Sequence, residues 1–198
     1  MEHVLRLRRL LEQPMPARPE TAEQCGFCAT PVGTQHSHVV DVEKRRLMCT
    51  CRPCWLLFTN PGAAGGRYRS AGERLQKVEH GELDWTDFSM PAGMAFFIRS
   101  SKPERVVGFY PSPGGATESG LTFDSDQPEF RKLEADIEAL LVYKRGSQTE
   151  CWIVPVDTCY ELVGRIRRCW RGFDGGAEAR TEIERFFERL REGVPWPT

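Results

Sequence analysis

The chain has 198 residues, enough to bury most of the surface that its unfolded form exposes and to fold around its own core. Its 40 % hydrophobic and 28 % charged residues are typical of a soluble globular protein. The formal net charge of -1 argues against a strong nucleic-acid binder, because such proteins usually carry a clear basic excess.

The first 22 residues predict a short helix over residues 2–12 and then a stiff linker. Apolar residues recur there at helical spacing between arginines, and Pro14, Pro16 and Pro19 end the pattern. The arginines interrupt any apolar core of a signal peptide, and no apolar run in the chain approaches the ~20 residues that span a bilayer. We therefore expect a cytoplasmic protein with reduced thiols and no membrane partner.

Two C-x-x-C pairs, Cys25 with Cys28 and Cys51 with Cys54, are separated by 22 residues. This spacing predicts a site in which four thiolates bind one zinc ion as a tetrahedron. Four protein ligands leave no position for a catalytic water, so we expect a structural site. Two alternatives stay open: Cys49 replaces Cys51 in the ligand set, or the metal is iron.

The segment around these cysteines, residues 23–66, predicts a treble-clef-like zinc module. A knuckle at residues 25–28 precedes two strands of a hairpin, at residues 38–42 and 46–50, and a helix follows over residues 51–58. Pro53 lies in the first turn of that helix, where a missing N–H costs nothing. A glycine-rich stretch at 61–66 predicts a flexible joint to the next domain.

Residues 67–198 predict an α+β domain. Apolar runs indicate strands at residues 94–98, 105–110, 137–143 and 151–154, joined by short turns that favour antiparallel pairing, and an edge strand at 75–78. Thr158 and Glu161 have the spacing of a capping box at the start of a helix that Gly172 ends. A second helix follows over about residues 177–191. Strands followed by helices predict a mostly antiparallel sheet with the C-terminal helices packed on one face.

Other polar and sulfur-containing residues are weaker candidates for a site. His36 and His38 face the same way on a strand and with Cys49 can form a second, open metal site. We expect instead that His38 packs or hydrogen-bonds beside the first site and that His36 is solvated. If the chain has a pocket, the loop over residues 111–119 lines it with Thr117, Glu118 and Ser119. The remaining cysteines, Cys151, Cys159 and Cys169, are expected in the core.

Five segments carry a family resemblance: CTCRPCWLLF (49–58), GGRYR (65–69), AFFIRS (95–100), FYPSPGGATES (109–119) and WRGFDGGAE (170–178). They resemble an uncharacterised bacterial family encoded in gene clusters for the actinobacterial type of NiFe hydrogenase. The resemblance spans about residues 24–190. It implies a role in making, assembling or supporting a hydrogenase, with a hydrogenase subunit or a maturation protein as partner, and it supplies no catalytic residue.

Three functions follow from these observations. The first is a zinc-stabilised accessory protein that acts through protein–protein contacts. We expect this function because the sequence shows no recognisable set of catalytic residues. The second is a metal-handling protein or enzyme, in which the metal is iron, or is nickel that passes through Cys49, His36 and His38. The third is a zinc-finger nucleic-acid binder, which the near-neutral charge disfavours.

Overall fold

The computed structural model of the chain describes residues 23–79, 91–172 and 174–193. The predicted helix at 2–12 and the proline linker after it lie outside these residues. The described strands are β1 (Ser37–Asp41), β2 (Arg46–Thr50), β3 (Tyr68–Ser70), β4 (Gln76–Val78), β5 (Met94–Ser101), β6 (Glu104–Ser112), β7 (Gly115–Glu118), β8 (Glu138–Arg145) and β9 (Gln148–Pro155). The described helices are α1 (Arg52–Leu56), α2 (Pro128–Arg131), α3 (Val156–Cys169) and α4 (Gly176–Glu192), and short 3-10 turns lie at Ala63–Gly66 and Pro91–Gly93.

The strands form two antiparallel sheets. The small sheet has the order β2-β1-β3, and the large sheet has the order β4-β9-β8-β5-β6-β7. The predicted α+β class, with C-terminal helices on an antiparallel sheet and a four-cysteine group near the N-terminus, is confirmed. None of the helices in the described ranges is both long and apolar enough to cross a membrane.

The large sheet is buried on both faces. On one face, side chains such as Phe96 and Leu141 pack against helices α3 and α4. On the other face, Phe97 and Leu140 pack against Phe130 and its neighbours in the segment that contains α2. A strand with two buried faces carries apolar side chains at successive positions, which explains the apolar runs at residues 94–98 of β5 and 139–143 of β8.

Three local predictions were wrong. Helix α3 begins at Val156 after Pro155, so Thr158 and Glu161 lie inside the helix and form no capping box. Strand β9 runs directly into this helix, and the Val156 N–H, the first of the free N–H groups at the helix start, donates to the Ile137 carbonyl, 3.0 Å away. The same helix ends at Cys169, before Gly172. The predicted loop over 111–119 is instead a hairpin, in which β7 pairs with the end of β6.

The small sheet packs against the large sheet through an apolar cluster. Val40 and Val42 contact Ile137 and Val156, which lie just before β8 and at the first residue of α3. A guanidinium hydrogen bond joins the same two parts of the molecule, from Arg69 to the Ala135 carbonyl at 2.7 Å. The small sheet is therefore held against the large sheet, and these residues form the boundary between the two sheets.

Candidate metal centre

The first two cysteines lie in a tight turn that packs under β2. The Cys25 N–H donates to the Thr30 carbonyl, and the Ala29 N–H donates back to the Cys25 carbonyl, each at 2.9 Å. The Gly26 N–H donates to the Cys49 carbonyl at 2.8 Å, so the turn is held against the hairpin. A Cβ atom at Gly26 would lie 2.9 Å from the terminal methyl group of Met48, so Gly26 packs closely under this flexible side chain.

The other two cysteines lie at the start of α1. Cys51 is the N-cap residue, Cys54 is in the first turn, and Pro53 occupies a position where helices tolerate proline. An aromatic cluster supports this region, with ring centroids of Phe27 and Phe58 4.7 Å apart and Tyr68 against both. The turn and the helix are thereby brought together although 22 residues separate them in the sequence.

The four sulfur atoms of Cys25, Cys28, Cys51 and Cys54 all lie within 4.8 Å of one another. The Sγ atoms of Cys28 and Cys51 are 3.6 Å apart, and all four thiols are free. A disulfide needs about 2.05 Å. Zinc–sulfur bonds of about 2.3 Å in a tetrahedron place neighbouring sulfurs about 3.8 Å apart. The spacing therefore fits a shared metal ion, and Cys51, not Cys49, completes the group.

The charge balance of the four sulfurs also favours a cation. Burial raises the pKa of Cys25, but backbone N–H groups of Cys51, Cys28 and Phe27 outweigh it and hold that pKa at about 6. Hydrogen bonding to the Thr30 hydroxyl lowers the pKa of Cys28. Hydrogen bonding with the Cys51 thiol and burial together raise the pKa of Cys54 to about 12. Cys25 and Cys28 thus ionise readily, whereas Cys54 resists ionisation beside them. A bound divalent ion would neutralise the negative charge of the thiolates and allow Cys54 to ionise as well.

A second group of metal-binding side chains lies beside the first. His36, His38 and Cys49 each place one ligand atom within 4.8 Å of the others. The expectation that His36 is solvated was wrong, because only 8 % of its side chain is exposed. His38 does hydrogen-bond, as expected, and its partner is Asp157, with Nδ1 3.0 Å from Oδ2. Asp157 lies 119 residues further along the chain, and no sequence pattern connects it to the histidine.

A cavity of about 370 Å³ lies at the boundary between the two sheets. Its lining includes apolar side chains such as Val40 and Ile98, and basic residues of the β1–β2 turn such as Arg45. Two of its lining residues, Ser100 and Asp136, each carry a buried oxygen that has no hydrogen-bond partner in the described part of the chain. Sequence reasoning did not identify either residue, because their burial results from the packing of two distant segments.

Of the three residues predicted to line a pocket, Glu118 lines this cavity. Its carboxylate pairs with Arg45 and Arg105, each at 3.0 Å. Thr117 donates instead to the Ser112 hydroxyl within the β6–β7 hairpin, and the Ser119 hydroxyl accepts from the Leu121 N–H. Cys151 and Cys159 are buried in the core, and Cys169 is partly buried.

A family model covers most of the chain. It describes a family of unknown function, DUF5947, and it matches residues 24–194. The chain belongs to DUF5947. The matched residues of the chain include both groups of metal-binding side chains and the residues that line the cavity. No curated protein and no solved structure matches the chain.

Proposed function

We propose that this DUF5947 protein is a zinc-stabilised accessory protein that supports the maturation, assembly or function of a NiFe hydrogenase through protein–protein contacts. The observation that carries the proposal is the closed group of four cysteines at the base of α1. A zinc ion with four thiolate ligands has a structural role, and such sites contribute on the order of 10 kcal/mol to folding.

The surface beside this group suits a protein partner. Trp55 is buried, whereas the next two residues of the chain, Leu56 and Leu57, are 54 % and 65 % exposed. Ser70 donates its hydroxyl to the Trp55 carbonyl at 2.5 Å, and the Arg52 guanidinium lies 3.9 Å from the centre of the Trp55 ring. The two leucines are thus presented on a supported segment, and exposed apolar residues of this kind are common at protein contacts.

The hydrogenase partner is supported by the sequence resemblance described above. Cys51, Cys54 and the exposed leucines all lie at 49–58, one of the segments that carry this resemblance. We infer that the metal holds the α1 segment in the conformation that a hydrogenase subunit or a maturation protein binds.

Elemental analysis with a visible spectrum tests the metal. One tightly held zinc ion per chain and a colourless protein are expected. A coloured protein with iron would contradict the zinc assignment, because an iron–thiolate centre absorbs visible light. Replacing Cys28 by Ser should abolish stoichiometric zinc binding, whereas Cys169→Ser should leave it unchanged.

Affinity capture from a strain that expresses a NiFe hydrogenase tests the partner. The tagged protein should retain a hydrogenase subunit or a maturation protein, and the double variant Leu56→Asp, Leu57→Asp should lose it. Leu121→Asp is the matched control, since Leu121 is also an exposed leucine, at 52 %, and lies outside the metal module. Reproducible capture of neither class of protein would overturn the proposal.

A further inference from the structure

Three side chains outside the four-cysteine group converge on one point of the small sheet. His38 in β1 and Cys49 in β2 are paired directly across the two strands, and His36 immediately precedes β1. The rings of the two histidines are 4.7 Å apart between centroids, and one ligand atom from each of the three residues lies within 4.8 Å of the others. This separation is short enough for a single ion to contact all three side chains.

His36 is oriented in the way that metal-binding histidines usually are. Its Nδ1 lies 2.8 Å from the Gly33 carbonyl oxygen, which can only accept, so Nδ1 carries the proton and Nε2 holds the free lone pair. Nε2 is buried and has no hydrogen-bond partner within residues 23–79, 91–172 and 174–193. The carboxylate oxygen Oε2 of Glu23 is 3.6 Å from Nε2, beyond hydrogen-bond distance. A buried nitrogen in this state is costly unless something binds it.

His38 shows the second arrangement typical of metal-binding histidines. Its Nδ1 lies 3.0 Å from a carboxylate oxygen of Asp157, in the first turn of α3. A carboxylate on one ring nitrogen fixes the orientation of the ring and makes the other nitrogen a better metal ligand. Both histidines thus have their Nδ1 atoms occupied by acceptors, and both leave Nε2 available.

We propose that His36, His38 and Cys49 form a second metal site, separate from the four-cysteine group, with three protein ligands and an open fourth position. Two imidazoles and one thiolate favour a divalent first-row transition metal over Mg²⁺ or Ca²⁺, which prefer oxygen ligands. An open position allows an outside ligand to bind and the ion to exchange, unlike a closed structural site.

The position of Asp157 gives this site a second property. His38 and Cys49 lie in the small sheet and His36 lies just before its strand β1. Asp157 lies in α3, the helix that packs on the large sheet. Asp157 is therefore a positioning residue that links metal binding to the boundary between the two sheets. This site does not depend on the hydrogenase partner proposed above, and a failure of that partner would leave it untouched.

Titration of the zinc-loaded full chain with Co²⁺ tests the site, with thiolate-to-cobalt absorption and equilibrium dialysis as readouts. The wild-type protein should bind one Co²⁺ ion beyond its zinc. His36→Ala, His38→Ala and Cys49→Ser should each lose this ion and keep the zinc. Asp157→Asn should weaken Co²⁺ binding about 10- to 100-fold, the usual effect of losing such a carboxylate partner. Cys169→Ser, which removes a thiol outside both groups, should bind Co²⁺ as the wild type does.

Zinc retention and far-ultraviolet circular dichroism show whether each variant is folded. If a variant fails to fold, the wild-type protein provides a separate measurement: added Co²⁺ should slow alkylation of Cys49, followed by mass spectrometry, while alkylation of Cys169 proceeds at its original rate. Any of three results would overturn the proposal. The wild type binds no additional ion, folded Cys49→Ser or His38→Ala protein still binds the additional ion, or Co²⁺ leaves the alkylation rate of Cys49 unchanged.

Discussion

Asp41, the last residue of β1, is fully buried and holds the turn between β1 and β2 in place. Its Oδ1 accepts from the Lys44 N–H at 3.2 Å, and its Oδ2 lies 3.1 Å from the Arg67 guanidinium, just before β3. Burial raises the pKa of Asp41, but the Arg67 and Lys44 donors outweigh burial and leave the pKa below its ordinary value of 3.8. This carboxylate therefore ties the hairpin turn to the third strand of the small sheet.

Replacing Asp41 by Asn should lower the free energy of unfolding by about 2 kcal/mol at neutral pH, as expected for weakened hydrogen bonds to a buried charge. Because the pKa of Asp41 is lower in the folded chain, its contribution is present above pH 3.8 and is lost as the pH falls through the lowered value. The difference between variant and wild type should therefore shrink in acid. Urea denaturation at neutral pH and at about pH 3 measures it.

Glu43→Gln is the matched control for this prediction. Glu43 also lies near Arg67, at 3.4 Å, but its side chain is 52 % exposed. An exposed ion pair contributes little, so this variant should differ from the wild type by no more than about 0.5 kcal/mol. Equal losses in the two variants, or a loss in Asp41→Asn that does not change with pH, would show that burial of the carboxylate is unimportant.

At the scale of elements, the start of β5 depends on a glycine. Gly93 has φ +72°, and a Cβ atom there would lie 2.8 Å from the backbone oxygen of Lys144 in the neighbouring strand β8. Gly146, in the turn that joins β8 to β9, also has a positive φ, +60°, but a Cβ atom there would meet nothing within 4 Å. The two glycines thus share one conformational requirement and differ in the space around them.

Alanine at Gly146 should destabilise the protein by about 1 kcal/mol, the cost of a left-handed conformation for a residue with a Cβ atom. Alanine at Gly93 should cost at least about 1 kcal/mol more, since the strand must also move away from Lys144. Thermal unfolding of the two variants against the wild type measures both costs. Equal losses in melting temperature would mean that β5 and β8 can separate at this end without penalty.

The longer elements could be predicted because their signals are local. Strands β5, β6, β8 and β9 and the two long helices lie where apolar periodicity placed them, to within a few residues. Strands β3 and β7 have only three and four residues, and their pairing partners, not their own composition, make them strands. The start of α3 was misplaced because Pro155 joins strand and helix without the separate turn that a side-chain cap would mark.

The candidate site also has a part that the sequence predicts and a part that it does not. Two C-x-x-C pairs are a pattern of residue types at short spacing, so the four-sulfur group is visible in the sequence. The burial of His36 and the contact of His38 with Asp157 depend on how the small sheet packs against helix α3. Such contacts between distant segments leave no local pattern, and the cavity beside Asp136 is of the same kind.

At the scale of the whole molecule, the small sheet and α1 form a small unit, and the large sheet carries most of the core. This unit has three strands and a five-residue helix, whereas the inner strands of the large sheet are covered on both faces. We infer that the large sheet folds without the metal and that the small sheet needs both the ion and its contact with Ile137 and Val156.

Removal of the metal with a strong chelator should therefore have an unequal effect on the two sheets. Amide hydrogens of β1 and β2 should exchange much faster, because they lose a contribution on the order of 10 kcal/mol, while those of β5 and β8 should stay protected. Hydrogen exchange read by mass spectrometry measures this directly. Cys28→Ser should reproduce the pattern and Cys169→Ser should not; unchanged protection in β1 would mean that the ion has no structural role.

The strand lengths of the large sheet bear on self-association. Among its strands in the described ranges, the four inner ones have eight or nine residues, whereas the outer ones, β4 and β7, have three and four. An outer strand of this length offers an incoming chain few unsatisfied amide and carbonyl groups, and short margins are one way in which natural sheets resist fibril growth. The long apolar strands β5, β6, β8 and β9 therefore lie inside the sheet, where each has a hydrogen-bonded neighbour on both sides.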